Sequence, residues 1–235
     1  MCLEVRRRRE YVERMSPTNE GLTPEQARRF YDRYGERQDA HRHEDAARTE
    51  LQNLGDFDSA CNVFELGCGT GSFARKLFTE SFPTTTRYLG VDVSETMAAL
   101  ARHNLADFGR RASVVQTDGE MHFDEPKGFY DRFVATYVFD LLPEEPIYRG
   151  LVEAHRLLAT HGVLCLVCLT RGANTLQRTI SGLWSQVQRV ARTAVGGCRP
   201  IDITSYMHET LWEIEENRVV SAFGVPSQVV VARPR

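Results

Sequence analysis

The chain has 235 residues, 42% hydrophobic and 26% charged, with a formal net charge of -3. That composition supports one sizeable core plus an appendage, and it lacks the global basic field on which nucleic-acid binders rely, so no nucleic-acid partner is expected. No run approaches the roughly 18 apolar residues that span a bilayer, and the first residues hold no apolar stretch of the signal-peptide kind, so a cytosolic protein is expected.

Residues 1–22 are polar, and Pro17, Asn19 and Gly21 mark loop. The basic run Arg6–Arg9 is interrupted on both sides by Glu4, Glu10 and Glu13, so a solvated, flexible tail is expected there. A helical appendage follows over 23–58. Thr23-Pro24-Glu25-Gln26 supplies an N-cap hydroxyl, a proline in the first turn and a glutamine at the capping-box position. Phe30, Tyr31 and Tyr34 continue that helix until Gly35, and a second, strongly charged helix is expected over Ala40–Leu54.

From residue 59 onward the pattern alternates. Strands are expected at 61–66, 87–92, 112–117, 132–137 and 163–169, with helices at 71–80, 94–107 and 145–159 between them. Such alternation predicts a doubly wound α/β fold, because parallel strands need crossover connections and are covered on both faces. The chain closes differently, with Leu211–Val220 and Ser227–Arg233 joined by Phe223-Gly-Val-Pro226. No helix fits in that join, so the last pair is antiparallel and the sheet has seven mostly parallel strands.

Six cysteines lie mostly in apolar segments and read as free, partly buried thiols. Cys165-Leu-Val-Cys168 matches C-x-x-C, but residues three apart on a strand face opposite sides and cannot readily share a metal. His41-x-His43 does not put two rings on one helical face, and no metal is expected. The stretch Arg171–Ile201 has no acidic side chain, and Leu176, Ile180, Leu183, Trp184, Val187, Ala191 and Ala194 recur at helical spacing, with Arg178, Arg189 and Arg192 among the polar positions. It reads equally as a helix packed on the sheet or as a substrate lid whose arginines meet an anionic headgroup or a membrane surface.

Val63-Phe-Glu-Leu-Gly-Cys-Gly-Thr-Gly-Ser-Phe-Ala74 is a buried strand that turns through Gly67, Gly69 and Gly71 into a helix. Glycines there let backbone approach a ligand, and the helix start presents unpaired N–H groups. Gly69-Thr-Gly71-Ser-Phe-Ala74 satisfies the loose dinucleotide pattern G-x-G-x-x-A. Glu65 argues against a pyrophosphate there, because its carboxylate would repel two negative charges and suit an ammonium group. Asp92 ends the second strand and can accept both hydroxyls of a ribose. It can also cap the helix beginning near Ser94, although Ser94 can do so itself.

These residues resemble the first motif, acidic-x-Gly-x-Gly-x-Gly, of the class I S-adenosylmethionine-dependent methyltransferases. The resemblance covers about residues 60–235 and includes the terminal hairpin, which sets this Rossmann-like fold apart from a nicotinamide-binding sheet. It implies a cofactor site made of Glu65, Gly67, Cys68, Gly69 and Gly71 at the methionine part and of Asp92, Val93 and Met97 at the nucleoside. Asp118 and Gly119 would stand at the adenine, Thr136 and Tyr137 beside the methionine part and the acceptor. Asp118 also fits a surface turn. Asp140 is either a general base or a cap for the helix after Pro143. Arg29-Phe-Tyr-Asp-Arg-Tyr34 resembles the amino-terminal lid of ubiquinone-, menaquinone- and phospholipid-type methyltransferases, in which Tyr31 or Tyr34 would close over the cofactor.

The expected activity is methyl transfer from S-adenosylmethionine to a small amphipathic, lipid- or quinone-like acceptor, with peripheral membrane contact through 171–201. The alternatives are a nicotinamide oxidoreductase and a non-catalytic protein that keeps the S-adenosylmethionine fold. The last strands lack the Asn/Asp-Pro-Pro-aromatic tetrad of amino methyltransferases acting on bases.

Overall fold

The computed structural model describes residues 21–34, 42–170 and 198–235, with backbone alone for residues 33, 34 and 42–45. The Arg6–Arg9 run, Arg178, Arg189, Arg192 and the Tyr34 side chain lie outside the described residues.

Helix α1 (Pro24–Tyr34) starts where the capping box predicts: Thr23 Oγ1 accepts from Gln26 N at 3.2 Å and Gln26 Oε1 accepts from Thr23 N at 3.0 Å. Helix α2 (Arg42–Leu54) packs across the carboxyl-terminal strands. The remaining elements are β1 (Asn62–Leu66), α3 (Ser72–Glu80), β2 (Arg87–Asp92), α4 (Glu95–Asn104), β3 (Ala112–Gln116), β4 (Tyr130–Thr136), α5 (Glu144–Leu157), β5 (Leu158–Leu169), β6 (Trp212–Ala222) and β7 (Val225–Pro234). They form a seven-stranded sheet of order β3-β2-β1-β4-β5-β7-β6. The first five strands pair in parallel and β7 runs antiparallel to both β5 and β6.

The strands bury both faces, and alternate residues enter alternate layers. Phe64, Leu66, Phe133, Leu164 and Leu166 pack with Ile147, Leu151 and Leu157 of α5 on one side. On the other, Val63, Val134, Val163 and Val167 meet Ala47 and Leu51 of α2 and Phe73 and Leu77 of α3. Cys165 and Cys168, both fully buried, fall in opposite layers, as their spacing on a strand requires. Burial pushes the Cys165 thiol up to about 12.

Several boundaries shift by a few residues from the sequence reading, most at the start of β5. β5 begins at Leu158, directly after α5, and the register with β4 shifts between Tyr130 and Arg132. Thr160-His161-Gly162 interrupts the apolar pattern at this irregularity, so the sequence places the strand only from 163.

Arg132, 4% exposed, fastens α2 to the sheet. Its guanidinium donates to Gly55 O at 2.9 Å, to Ser59 Oγ at 2.7 Å and to Asp56 O. Beyond residues 171–197 the chain is anchored again, by Arg199 N donating to Asp140 O and Ile201 N donating to Leu169 O, both at 2.9 Å. No helix among the described residues is long and apolar enough to cross a membrane.

Candidate functional site

At the carboxyl ends of β1, β2 and β4 lies a cleft. A crevice outside these strand ends is where open α/β sheets place ligands. Its floor is the glycine turn. Gly67 N and Cys68 N both donate to Val91 O, at 2.8 and 3.1 Å, which ties the turn to the end of β2. Gly67 has φ 65°, and a Cβ there would stand 2.4 Å from Val138 Cγ2, so this position excludes side chains on both counts. Gly71, at φ 75°, caps α3.

Asp92 braces the turn. Its Oδ2 accepts from Gly69 N and its Oδ1 from Ser94 N, both at 2.9 Å. Both carboxylate oxygens thus face backbone donors, while the residue still lines the cleft. Burial raises its pKa against the pull of those donors. The helix cap itself falls to Ser94, whose Oγ accepts from Met97 N at 3.2 Å and donates to Asp32 Oδ1 of α1 at 2.6 Å.

Glu65 is buried at the end of β1 on the α2 side of the sheet, and its Oε2 accepts from Tyr88 Oη at 2.6 Å. Burial raises its pKa from an ordinary 4.5 to about 7, with the Tyr88 bond and the Arg48 charge pulling it back down and Asp92 adding to the rise. Arg48 of α2 lines the same cleft; its Nε donates to Thr136 Oγ1 at 3.4 Å and its guanidinium lies 5.7 Å from the centre of the Tyr137 ring. One acidic and one basic side chain therefore stand at the same end of the cleft.

Tyr137 sits in the left-handed region at φ 59°, a strained setting for a residue with a side chain. Its surroundings hold it there. Its N–H donates to Val167 O at 2.7 Å, its hydroxyl hydrogen-bonds Ser227 Oγ at 2.9 Å, and Arg48 covers its ring.

Of the residues expected from sequence, Glu65, Gly67, Cys68, Gly69, Asp92, Val93, Met97, Gly119, Thr136, Tyr137 and Tyr31 line the cleft. Gly119 is approached by the first helix, since a Cβ there would lie 2.4 Å from Pro24 Cβ. Two acidic residues sit differently. Asp118 is exposed, its Oδ1 accepts from Glu120 N at 2.9 Å as in a surface turn, and it is not among the residues that line the cleft. Asp140 is fully buried and absent from the cleft wall; its Oδ2 accepts from Leu169 N at 2.8 Å, so the carboxylate steadies the end of β5 and is not placed as a general base.

Sequence reasoning missed Arg48, hidden in a helix rich in charge, and Tyr88, whose hydroxyl reaches Glu65 only through strand pairing. It also missed the wall supplied by Pro24, Ala27, Met121, Phe123 and Leu142.

Fold and site together define the class I methyltransferase fold, the Rossmann-like sheet closed by an antiparallel hairpin. Residues 63–162 match a family described as "Methyltransferase domain". None of the curated proteins matches this chain. Among solved structures, the [4+2]-cyclase SpnF is 14% identical with a TM-score of 0.68, covering 91% of this chain and 97% of its own. The PH0226 protein of Pyrococcus horikoshii is 15% identical with a TM-score of 0.62, covering 81% of this chain and 89% of its own. The pyocyanin biosynthetic protein PhzM is 18% identical with a TM-score of 0.62, covering 81% of this chain and 55% of its own. At such identities the likeness carries the fold alone.

Proposed function

We propose that the protein is an S-adenosylmethionine-dependent methyltransferase acting on a small, amphipathic, lipid- or quinone-like acceptor. The observation that carries this reading is that Glu65 and Arg48 stand together at one end of a cleft whose floor is the glycine turn and whose wall includes apolar side chains beside Asp92 and Thr136. An amino-acid tail presents one ammonium and one carboxylate, and this donor set matches both. Glu65 would take the ammonium and Arg48 the carboxylate, Met97 and Val93 would offer apolar surface to a purine, and Asp92 would accept from the ribose through lone pairs beyond those bound to Gly69 N and Ser94 N.

When bound, the cofactor supplies an electrophilic methyl group. The chain's contribution is alignment and exclusion of water, for which the apolar wall of Met121, Phe123, Val138, Leu141 and Leu142 is suited. No protein base is required of this site when the acceptor arrives ionised.

The test is calorimetric titration with S-adenosylmethionine and with NAD, followed by a mass screen of phenolic, quinone and phospholipid acceptors for a gain of one methyl. Arg48→Ala is expected to weaken S-adenosylmethionine binding by about tenfold or more. Binding of NAD in its place would overturn the reading. Tight cofactor binding with no methyl gained by any acceptor would favour a protein that keeps the fold for other chemistry, and SpnF, which has a similar fold, is a [4+2]-cyclase.

A further inference from the structure

Glycine at position 90 is not forced by its backbone, yet it decides what stands beside Glu65. β1 and β2 pair with Glu65 opposite Gly90. A Cβ on Gly90 would lie 2.6 Å from Tyr88 Oη and 3.0 Å from both Cβ and Sγ of Cys68. The missing side chain is the space into which the Tyr88 hydroxyl and the Cys68 thiol gather. From there the hydroxyl reaches Glu65 Oε2 at 2.6 Å. The Tyr88 ring is buried and packs edge-on against Phe78 at 5.9 Å, so the hydroxyl has little freedom to move away.

We propose that Tyr88 is a positioning residue of the cofactor site: its phenol favours the carboxylate form of Glu65 and fixes its orientation, so that the site takes up an ammonium and gives the Glu65 proton to solvent. This rests on the reading of the site as one for S-adenosylmethionine. The charged and titratable groups bearing on Glu65 are Tyr88 and Asp92 of β2, Cys68 of the glycine turn and Arg48 of α2, whereas its neighbour in register on β4 is the uncharged Val134. Burial raises the pKa of Tyr88 and of Cys68 well above their ordinary values, the Glu65 charge adding to the rise of each, so both stay protonated as Glu65 titrates. Glu65 is thus the group of this cluster that exchanges its proton near neutrality. In the free protein the carboxylic acid is half populated at about pH 7. An incoming ammonium needs the carboxylate, and the displaced proton leaves to water.

Titration of the full-length protein with S-adenosylmethionine, in two buffers of different ionisation enthalpy and from about pH 6 to pH 9, reads the proton directly. Relative to the Glu65→Gln baseline, which carries the ligand's own ionisation, wild-type affinity is expected to rise about tenfold between pH 6 and pH 8, with net proton release below pH 7. Tyr88→Phe removes a donor to the charged form, which raises the Glu65 pKa. It is expected to move the midpoint up by about one pH unit and weaken binding about fivefold at pH 7, converging on wild type at high pH. Glu65→Gln carries only the ligand's own ionisation and supplies the baseline. Gly90→Ala, which crowds the hydroxyl, should shift the midpoint in the same direction as Tyr88→Phe.

A folded Tyr88→Phe protein with the wild-type midpoint, or one weakened equally at every pH, overturns the inference. Wild-type buffer dependence no larger than that of Glu65→Gln overturns it without recourse to Tyr88→Phe. Absence of wild-type binding at every pH would remove the cofactor reading as well, so the two failures are distinguishable.

Discussion

Replacing Glu65 with glutamine should make the ligand-free protein more stable at neutral and alkaline pH while harming its site. Glu65 is fully enclosed, and burial raises its pKa from 4.5 to about 7. The folded state therefore binds a proton more tightly than the unfolded chain does. Between those two values the folded state carries the extra proton, so this group's contribution to stability falls as pH rises from about 4.5 and levels off above about 7. At about 1.4 kcal/mol per pKa unit the loss comes to about 3 kcal/mol. Glutamine keeps an acceptor for the Tyr88 hydroxyl and does not titrate. Urea midpoints and thermal scans of both proteins at half-unit steps from pH 4 to pH 8.5 give a difference curve in which other titrating groups cancel. The curve should rise by about 3 kcal/mol, or roughly 6 to 12 °C in Tm, across that window. A flat difference would refute the burial argument, because then Glu65 is either solvated or already ionised at low pH. Such a trade of stability for a charged site is common where a ligand completes the charge balance.

Three further substitutions probe the frame. Asp140→Asn should cost about 1–2 kcal/mol by weakening the bond from Leu169 N, and should leave turnover per folded molecule within about threefold in the acceptor mass assay; a hundredfold loss with stability intact would restore the general-base role. Gly67→Ala should lower thermal stability by about 1–3 kcal/mol and abolish detectable cofactor binding in calorimetry, since it must adopt a left-handed backbone against Val138. Arg132→Leu should destabilise by about 3–5 kcal/mol in urea titrations, because Gly55 O and Asp56 O lose their donor; a change below 1 kcal/mol would show that water replaces it.

The parts of this molecule that sequence reveals are those with local causes. The glycine turn, the Thr23 capping box and the alternation of apolar strands with amphipathic helices each follow from residues within one or two turns of chain, and the join Phe223–Pro226 is too short for a crossover. The site's electrostatics are not local. Arg48 reaches the cleft because α2 lies over the sheet on the Glu65 side, and Tyr88 matters because strand register sets Gly90 opposite Glu65. Asp140 and Asp118 show the converse: acidic residues at strand ends look chemical in sequence, but backbone donors nearby claim them first. Likewise Asp92 holds the glycine turn together as well as facing the cleft.

The first helix has a kinetic meaning. α1 gives Pro24, Ala27 and Tyr31 to the wall of the cleft and is held at two places, by Asp32 to Ser94 and, just ahead of it, by Leu22 N to Leu141 O at 2.7 Å. One tether lies beside the end of β2 and the other beside Leu141, at separate parts of the cleft wall. Were a ligand held beneath α1, its residence time would follow the undocking of that helix, a motion of the microsecond-to-millisecond class. Turnover limited by that step would slow with solvent viscosity, and weakening the Asp32–Ser94 tether would shorten the occupied state while leaving the floor of the cleft intact.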